Sequence, residues 1–261
     1  MTSTADVDAN METVRRLVGE AASRGAQVVV VPECFSYLGP EAGKLAIAES
    51  LDQGGPILDS CREAARTAGV DVVYGGFWEK GDDPEKVRNA CIYMKADGDI
   101  ASVYRKIHLF DVDLPDGTKL LESETVEPGG EPVVADAPFG TLGLSVCYDL
   151  RFPELYRKLV DAGAIALAIP AAFTLTTGKD HWHVLLRARA IEQQCYVLAA
   201  AQTGHHYGRR RSYGHALIAD PWGTILAECG EGEGVAVASV DSSYVASVRG
   251  SLPSLAHRTL G

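Results

Sequence analysis

The alternation of apolar and polar residues along the chain predicts strands that end in charged side chains. A β-branched apolar run over residues 26–32 predicts a strand that is buried on both faces, and Glu33 follows it directly. Residues 100–106 alternate apolar and polar positions, as a half-buried strand does, and this strand ends at Lys106. Both predicted strands therefore place a charged group at their carboxyl end.

The pattern as a whole predicts an α/β fold in which helices cover the sheets. Helices are expected over residues 8–23, 56–68, 153–161 and 180–193. Strands are expected over residues 27–32, 71–77, 89–96, 100–106, 141–147, 164–169, 195–202, 214–219, 224–229 and 234–240. The segment Asp220-Pro-Trp-Gly223 is a turn signal between two of these strands.

The strand over residues 141–147 ends at a cysteine, Cys147, and Pro153 shortly afterwards opens a helix. This strand–turn–helix resembles a nucleophile elbow, in which a sharp turn exposes the attacking atom. The alternative is a buried cysteine at a strand end, because free cysteine is among the most buried residue types.

Glu33, Lys106 and Cys147 form a candidate site, because functional groups gather beyond the carboxyl ends of strands in open α/β sheets. Each residue also has a simpler interpretation. Glu33 could be a solvated strand end, and Lys106 an ordinary surface charge beside Arg105.

Length and composition favour one domain over residues 1–261, without a linker or a composition break. The net charge of −11 disfavours nucleic acid and anionic membrane as partners. No apolar run is long enough to span a bilayer, and no signal peptide is evident. The wide, irregular spacing of the six cysteines argues against a disulfide framework and a structural zinc site, which predicts a reduced, cytoplasmic protein.

Two groups of side chains suggest ligand binding. Arg209, Arg210 and Arg211 are consecutive; such a run is usually a solvated loop, and the alternative is a loop that recognises carboxylates. His181 and His183 are two residues apart, so they do not share a helix face, and no acidic ligand pattern accompanies them. We therefore expect no metal and no cofactor.

Four blocks of the sequence resemble, in order, the catalytic blocks of the nitrilase superfamily of carbon–nitrogen hydrolases. They are Pro32-Glu33, Tyr104-Arg-Lys106-Ile-His108-Leu-Phe-Asp111, Leu121-Glu122-Ser123, and Cys147-Tyr-Asp-Leu-Arg151-Phe-Pro-Glu154. The resemblance implies a four-layer α-β-β-α sandwich, commonly a homodimer or a higher homo-oligomer. That family usually opens with a further short strand, so we expect that the first strand of the fold is missing before Met1.

The resemblance also implies a mechanism and a set of site residues. Cys147 would be the nucleophile, Glu33 the general base, and Lys106 the partner of the oxyanion, with a backbone N–H near Tyr148 as a second donor. Glu122 would position Lys106 or the substrate. The candidates for substrate binding are Tyr148, Arg151, His181, Arg209, Arg210 and Arg211.

Within the superfamily, the segments Gly204-His-His206, Ser212-Tyr-Gly-His215 and Leu252-Pro253 are most similar to the deaminated glutathione amidases. That branch cleaves 2-oxoglutaryl-cysteinylglycine to 2-oxoglutarate and cysteinylglycine. Alternatives within the superfamily are an ω-amidase acting on 2-oxoglutaramate, another amidase, a carbamoylase or a nitrilase. Outside it, a Cys–His hydrolase with His108, His181 or His215 as the base, and a non-catalytic scaffold, remain open.

Overall fold

Two β-sheets pack face to face between two layers of helices in the computed structural model, which describes residues 1–113 and 119–259. The helices are α1 Val7–Ser23, α2 Ala42–Ile47, α3 Pro56–Ala68, α4 Pro153–Asp161, α5 Leu175–Gln193 and α6 Ser242–Ser251. The strands are β1 Val28–Val31, β2 Asp71–Lys80, β3 Val87–Met94, β4 Ile100–Arg105, β5 Asp111–Asp113, β6 Lys119–Leu121, β7 Val126–Glu127, β8 Val133–Ala137, β9 Gly140–Leu144, β10 Ala166–Ala168, β11 Tyr196–Ala199, β12 Thr203–Tyr207, β13 Arg210–Tyr213, β14 Leu217–Ala219 and β15 Ile225–Glu228.

The first sheet has the order β1-β2-β3-β4, with β7 beside β3, and the second has the order β15-β14-β11-β10-β9-β8. Strands β1 and β2 are parallel, as are β9, β10 and β11. Parallel strands bring their carboxyl ends to one edge of a sheet. The residues that follow β9 and β10 therefore lie at one edge of the second sheet, and face-to-face packing of the sheets brings Glu33, after β1, into contact with Ala172 there.

Alternating side chains assign the two faces of the first sheet. Val72 and Tyr74 of β2 pack with residues of α1 and α3, whereas Val73 between them packs with the second sheet. The helices α4 and α5 cover the other face of the second sheet. The prediction of a four-layer α-β-β-α sandwich is thus confirmed.

The predicted helices are present, and α5 begins earlier than expected, at Leu175, where the Thr174 side chain accepts a hydrogen bond from the Thr177 N–H. Most predicted strands also occur, with shifted ends. The strand expected over residues 234–240 is wrong, because the structure assigns no strand there although the apolar alternation is clear. The pattern missed α2, α6, β5 to β8, and the hairpin formed by β12 and β13.

Strand β1 lies at the edge of its sheet and pairs with β2 alone among the described strands. Val28, Val29 and Val30 are therefore half-buried, and the expectation of a strand buried on both faces is wrong for them. A cavity of about 550 Å³ runs along this edge, between Val28–Pro32 and the segment 234–240. The expectation of a further strand before Met1 stays a prediction.

Candidate active site

The backbone turns sharply at Cys147. Its φ angle is +49°, in the left-handed region that residues with a side chain seldom adopt. The Cys147 N–H donates to the Pro170 carbonyl oxygen beyond β10, at 2.9 Å. A short 3-10 turn over Cys147–Arg151 follows, and Pro153 then opens α4. The sequence therefore forms the expected elbow, with the thiol at the bend.

Asp149 holds the elbow in place and is completely buried. One carboxylate oxygen accepts hydrogen bonds from the Val146 N–H at 2.8 Å and the Tyr104 hydroxyl at 2.7 Å. The other accepts from the His108 N–H at 3.1 Å and lies 2.7 Å from His108 Nδ1. These bonds tie the turn after β9 to the end of β4 in the other sheet.

Glu33 follows β1 and is 4% exposed. Its Oε1 accepts from Lys106 Nζ at 3.1 Å and from Asn89 Nδ2 at 3.0 Å. Its Oε2 accepts from the Ala172 N–H at 2.9 Å, and Cys147 is close enough to this carboxylate for the two groups to shift each other's pKa. A carboxylate thus lies directly beside the thiol, with its orientation fixed from three sides.

A second glutamate, Glu122, shares the Lys106 ammonium. Lys106 is 2% exposed. Its Nζ lies 2.8 Å and 3.1 Å from the two carboxylate oxygens of Glu122. Glu122 also accepts from the Phe110 N–H at 2.7 Å and from Asn89 Nδ2 at 3.2 Å. Lys106 is therefore fixed between two carboxylates.

The charges of these neighbours set the protonation states. Burial alone would raise the pKa of Glu33, but Lys106 and hydrogen bonds from Cys147, Lys106 and Asn89 hold that pKa below its ordinary value. Burial lowers the pKa of Lys106, yet Glu122 and Glu33 outweigh it and hold that pKa well above the ordinary value. Burial, together with the charge of Glu33, raises the pKa of the Cys147 thiol well above its usual range, although Lys106 opposes this. The resting site therefore holds a thiol, a glutamate base and a permanent cation.

The side chains of Glu33, Lys106, Glu122 and Cys147 lie along one cavity of about 390 Å³. Its remaining walls combine aromatic side chains with basic ones and with two further carboxylates, Glu41 and Glu124, so only particular points of the wall are positive. The lining includes Lys44, Trp78, Phe110, Tyr148, Arg151, Phe173, Tyr207 and Arg210.

Of the residues predicted to bind substrate, Tyr148 and Arg151 line this cavity and His181 does not. The Arg151 guanidinium lies 5.2 Å from the centre of the Phe173 ring. His181 is exposed, and its Nδ1 lies 3.3 Å from both terminal nitrogens of Arg151. His181 is not part of the described lining, but it contacts Arg151, which is.

The three consecutive arginines lie on the hairpin formed by β12 and β13. Arg209 is in its turn, whereas Arg210 and Arg211 belong to β13, so the expectation of a loop is wrong for these two. Arg209 and Arg211 are exposed, whereas Arg210 of β13 lines the cavity. Arg210 Nη2 donates to the Ala172 carbonyl oxygen at 2.7 Å. Its Nη1 is buried and has no hydrogen-bond partner among the described residues. Only Arg210 of the three therefore offers a free donor in the cavity lining.

Sequence reasoning missed two polar side chains of this site. Asn89 of β3 bridges Glu33 and Glu122, but a single Asn within a strand gives no sequence signal. Lys44 of α2 is buried, pairs with Glu41 and lies 4.6 Å from the centre of the Trp78 ring. Its helix is six residues long, too short for a periodic pattern.

The histidines proposed as alternative bases lie elsewhere. No histidine belongs to the cavity lining in the described part of the chain. His108 bonds Asp149 and stacks on Phe152 with ring centres 3.7 Å apart. His215 lies 2.7 Å from a carboxylate oxygen of Glu228. The geometry therefore favours Glu33 over a histidine as the base beside Cys147.

Comparison with known proteins agrees with this geometry. The family model "Carbon-nitrogen hydrolase" matches residues 1–250. The deaminated glutathione amidase of Homo sapiens is 44% identical over 265 residues, which cover 99% of this chain and 80% of that protein. The crystal structure of the Caenorhabditis elegans NitFhit protein matches with a TM-score of 0.92 and 40% identity, over 99% of this chain and 63% of that one. An E41Q mutant amidase from Nesterenkonia sp. AN1, with acrylamide added at its active site cysteine, matches with a TM-score of 0.78 and 25% identity, over 97% of this chain and 95% of that one.

Proposed function

Because the chain belongs to the carbon–nitrogen hydrolase family, we propose that Cys147 is the nucleophile with which it hydrolyses a linear amide. The observation that carries this proposal is the buried cluster of Cys147, Glu33, Lys106 and Glu122 along one cavity. The cysteine-bound acrylamide of the Nesterenkonia amidase supports a reactive cysteine in this fold.

In the first step, the Cys147 sulfur attacks the amide carbon while Glu33 takes the thiol proton. The raised pKa of the thiol means that little thiolate exists at rest, so the base must act during the attack. Glu33 is available to take the proton because its low pKa keeps the carboxylate ionised and its oxygens are already oriented. It then donates that proton to the leaving nitrogen and later activates the water that cleaves the thioester.

Lys106 stabilises the negative charge that develops on the carbonyl oxygen. It is a permanent cation in a dry site, where such stabilisation is strongest. The backbone N–H of Tyr148, at the start of the 3-10 turn, is the proposed second donor. Glu122 and Asn89 keep the Lys106 ammonium in register with Glu33, so they are positioning residues.

The proposed substrate is deaminated glutathione, 2-oxoglutaryl-cysteinylglycine, which carries a carboxylate at each end. Arg210 offers a buried, unpartnered N–H to one of them, and an unpaired buried donor is costly until a ligand satisfies it. Arg151 supplies further positive charge along the same cavity, whereas the charge of Lys44 is paired with Glu41. The human relative of that name supports this choice.

We propose further that residues 1–261 are one domain and that the protein is a cytoplasmic homodimer. All six cysteines are free, which suits a reducing compartment. No helix in the described part of the chain combines the length and apolar character that crossing a membrane requires. Val184, Ile191, Trp222 and Leu226 are exposed apolar side chains on α5 and around β15, and they could meet a second copy.

A substrate panel tests the proposal. Initial rates are measured with 2-oxoglutaryl-cysteinylglycine, 2-oxoglutaramate, an N-carbamoyl amino acid and an aliphatic nitrile. The peptide conjugate should give the highest kcat/KM, and Cys147→Ala should abolish turnover and thioester formation, seen as an acyl adduct by mass spectrometry. Faster turnover of 2-oxoglutaramate would make the protein an ω-amidase, and activity retained in Cys147→Ala would refute the thioester route.

The hairpin formed by β12 and β13 gives a matched control for substrate recognition, because Arg210 lines the cavity and Arg211 is exposed. Arg210→Ala should raise KM at least about tenfold, because a charge-assisted hydrogen bond contributes roughly 1.5–3 kcal/mol. Arg211→Ala, which removes an exposed neighbour, should leave KM unchanged. An equal KM in the two variants would return Arg210 to a purely structural role.

A further inference from the structure

A second cluster of polar side chains lies outside the catalytic cavity, where three elements meet. It consists of His183 of α5, His215 just before β14, and Glu228 at the end of β15. His183 Nε2 lies 2.9 Å and His215 Nδ1 lies 2.7 Å from the same oxygen, Oε1 of Glu228. One candidate ligand atom from each residue lies within 4.8 Å of the other two. None of the three belongs to the described lining of the catalytic cavity.

The fold holds these side chains in place before any ligand arrives. His215 has a φ angle of +59°, in the left-handed region, and its carbonyl oxygen accepts from Trp182 Nε1 at 2.8 Å. The Tyr213 ring stacks on His215 with centres 4.4 Å apart and meets His183 edge-on at 5.8 Å. Glu228 is fixed by its antiparallel pairing with Leu217. Two rings and a carboxylate that are far apart in sequence are thus directed at one point.

The chemistry of the three groups matches a known ligand set. Two imidazoles and one carboxylate, with a fourth position open to water, bind zinc in many proteins. The side chains of His183, His215 and Glu228 are 29%, 22% and 31% exposed, which leaves the fourth position accessible to solvent. Bonds of about 2.0–2.1 Å place neighbouring ligand atoms of a tetrahedral site about 3.3 Å apart. The observed separations of 2.9 Å and 2.7 Å from Glu228 therefore need to open by about 0.4–0.6 Å, and the ring nitrogens of His183 and His215, which lie within 4.8 Å of each other, need to reach a similar distance.

The sequence predicts no metal because no acidic ligand pattern accompanies His183 in the chain, but the fold brings Glu228 to it. We propose that His183, His215 and Glu228 bind one divalent transition-metal ion of the zinc class. The ion replaces the ring protons that face Glu228, and each displaced proton moves to solvent or to the other nitrogen of the ring. The bound ion links α5 to the β14–β15 hairpin, close to the exposed apolar side chains Val184 and Leu226. The site is separate from the proposed thiol chemistry, and its role is to stabilise this corner of the fold.

The test is a titration of the tag-free, metal-free protein with Zn²⁺ by calorimetry and with Co²⁺ by visible absorption. The Cys147→Ala background is used, because a free active-site thiol also binds these metals. We expect one equivalent of Zn²⁺ per chain, an intense Co²⁺ absorption typical of tetrahedral nitrogen and oxygen ligands, and a higher unfolding temperature with Zn²⁺.

Variants assign the site. His183→Ala and His215→Ala should each weaken Zn²⁺ binding at least about tenfold, since even residues that only support metal ligands contribute that much. His257→Ala removes an exposed histidine elsewhere and is the matched control. Glu228→Gln keeps the shape of the side chain and serves if a histidine variant fails to fold. Absent one-to-one binding in the parent protein, or unchanged affinity in Glu228→Gln and both histidine variants, would overturn the proposal.

Discussion

Two buried carboxylates, Glu33 and Asp149, lie beside the same elbow, yet the structure uses them in different ways. Glu33 is 4% exposed and Asp149 is 0% exposed, and each accepts hydrogen bonds from backbone N–H groups. Glu33 also faces an ammonium and a thiol and lines the cavity. Asp149 is enclosed by Tyr104, His108 and Val146 and is absent from the described lining.

The difference shows that burial of a carboxylate is not by itself a sign of catalysis. What distinguishes Glu33 is a reactive partner with an exchangeable proton, together with space for a substrate on the same side. Asp149 has saturated acceptors and no adjacent space, so its hydrogen bonds serve the geometry of the turn.

The strongest test of this contrast is Glu33→Gln. The amide preserves the shape but cannot accept the thiol proton, so kcat/KM should fall by about 10³-fold or more. The free energy of unfolding should also fall, by about 3 kcal/mol or less, because both Glu33 oxygens face donors too; the large loss of kcat/KM is what distinguishes Glu33 from Asp149. Steady-state kinetics and urea unfolding measure the two quantities. A mild loss of activity in a folded Glu33→Gln protein would remove Glu33 from the mechanism.

Asp149→Asn should act mainly on stability rather than on the chemical step. Each Asp149 oxygen faces donors of its own, so an NH₂ group at either position opposes a donor, and the free energy of unfolding should fall by about 3 kcal/mol. Urea unfolding measures the loss, with the exposed Asp136→Asn as a control that should change little. Stability equal to that of the parent protein would contradict the anchoring role of Asp149.

The pH dependence of kcat/KM sharpens the comparison further. Glu33 must be ionised to act, and its pKa lies below the ordinary 4.5, so protonation removes activity only as the pH falls below that value. A histidine base would instead lose activity below about pH 6.5. The value of kcat/KM should therefore stay constant between pH 5 and 7. As a control, enzyme that is returned from acid to neutral pH should recover its activity, which distinguishes protonation from unfolding. An acid limb near pH 6.5 would favour the Cys–His alternative.

Local sequence patterns were sufficient to predict which functional residues follow closely after the strands. The apolar run before Glu33, the alternation before Lys106 and the Pro153 helix start after Cys147 are all short-range signals, and each produced the expected local structure. The same reasoning failed over residues 234–240, where the pattern is that of a strand but no strand partner occurs among the described residues. Periodicity reports a preference of the backbone, whereas strand formation requires a neighbour.

Short-range signals along the chain predicted the layered α/β fold and the three groups beyond the strand ends, because periodicity, turns and helix starts depend on residues close together in the chain. Tertiary structure alone decided that Asn89, 56 residues from Glu33, bridges the two glutamates, and that Lys106, 73 residues from Glu33, lies between them. It also placed Arg210, but neither Arg209 nor Arg211, in the lining of the cavity. It brought His183 and Glu228, which are 45 residues apart in the chain, into contact. The physical reason is that a charge acquires its function from what surrounds it in space. Those surroundings exist only after the sheets have packed and excluded water.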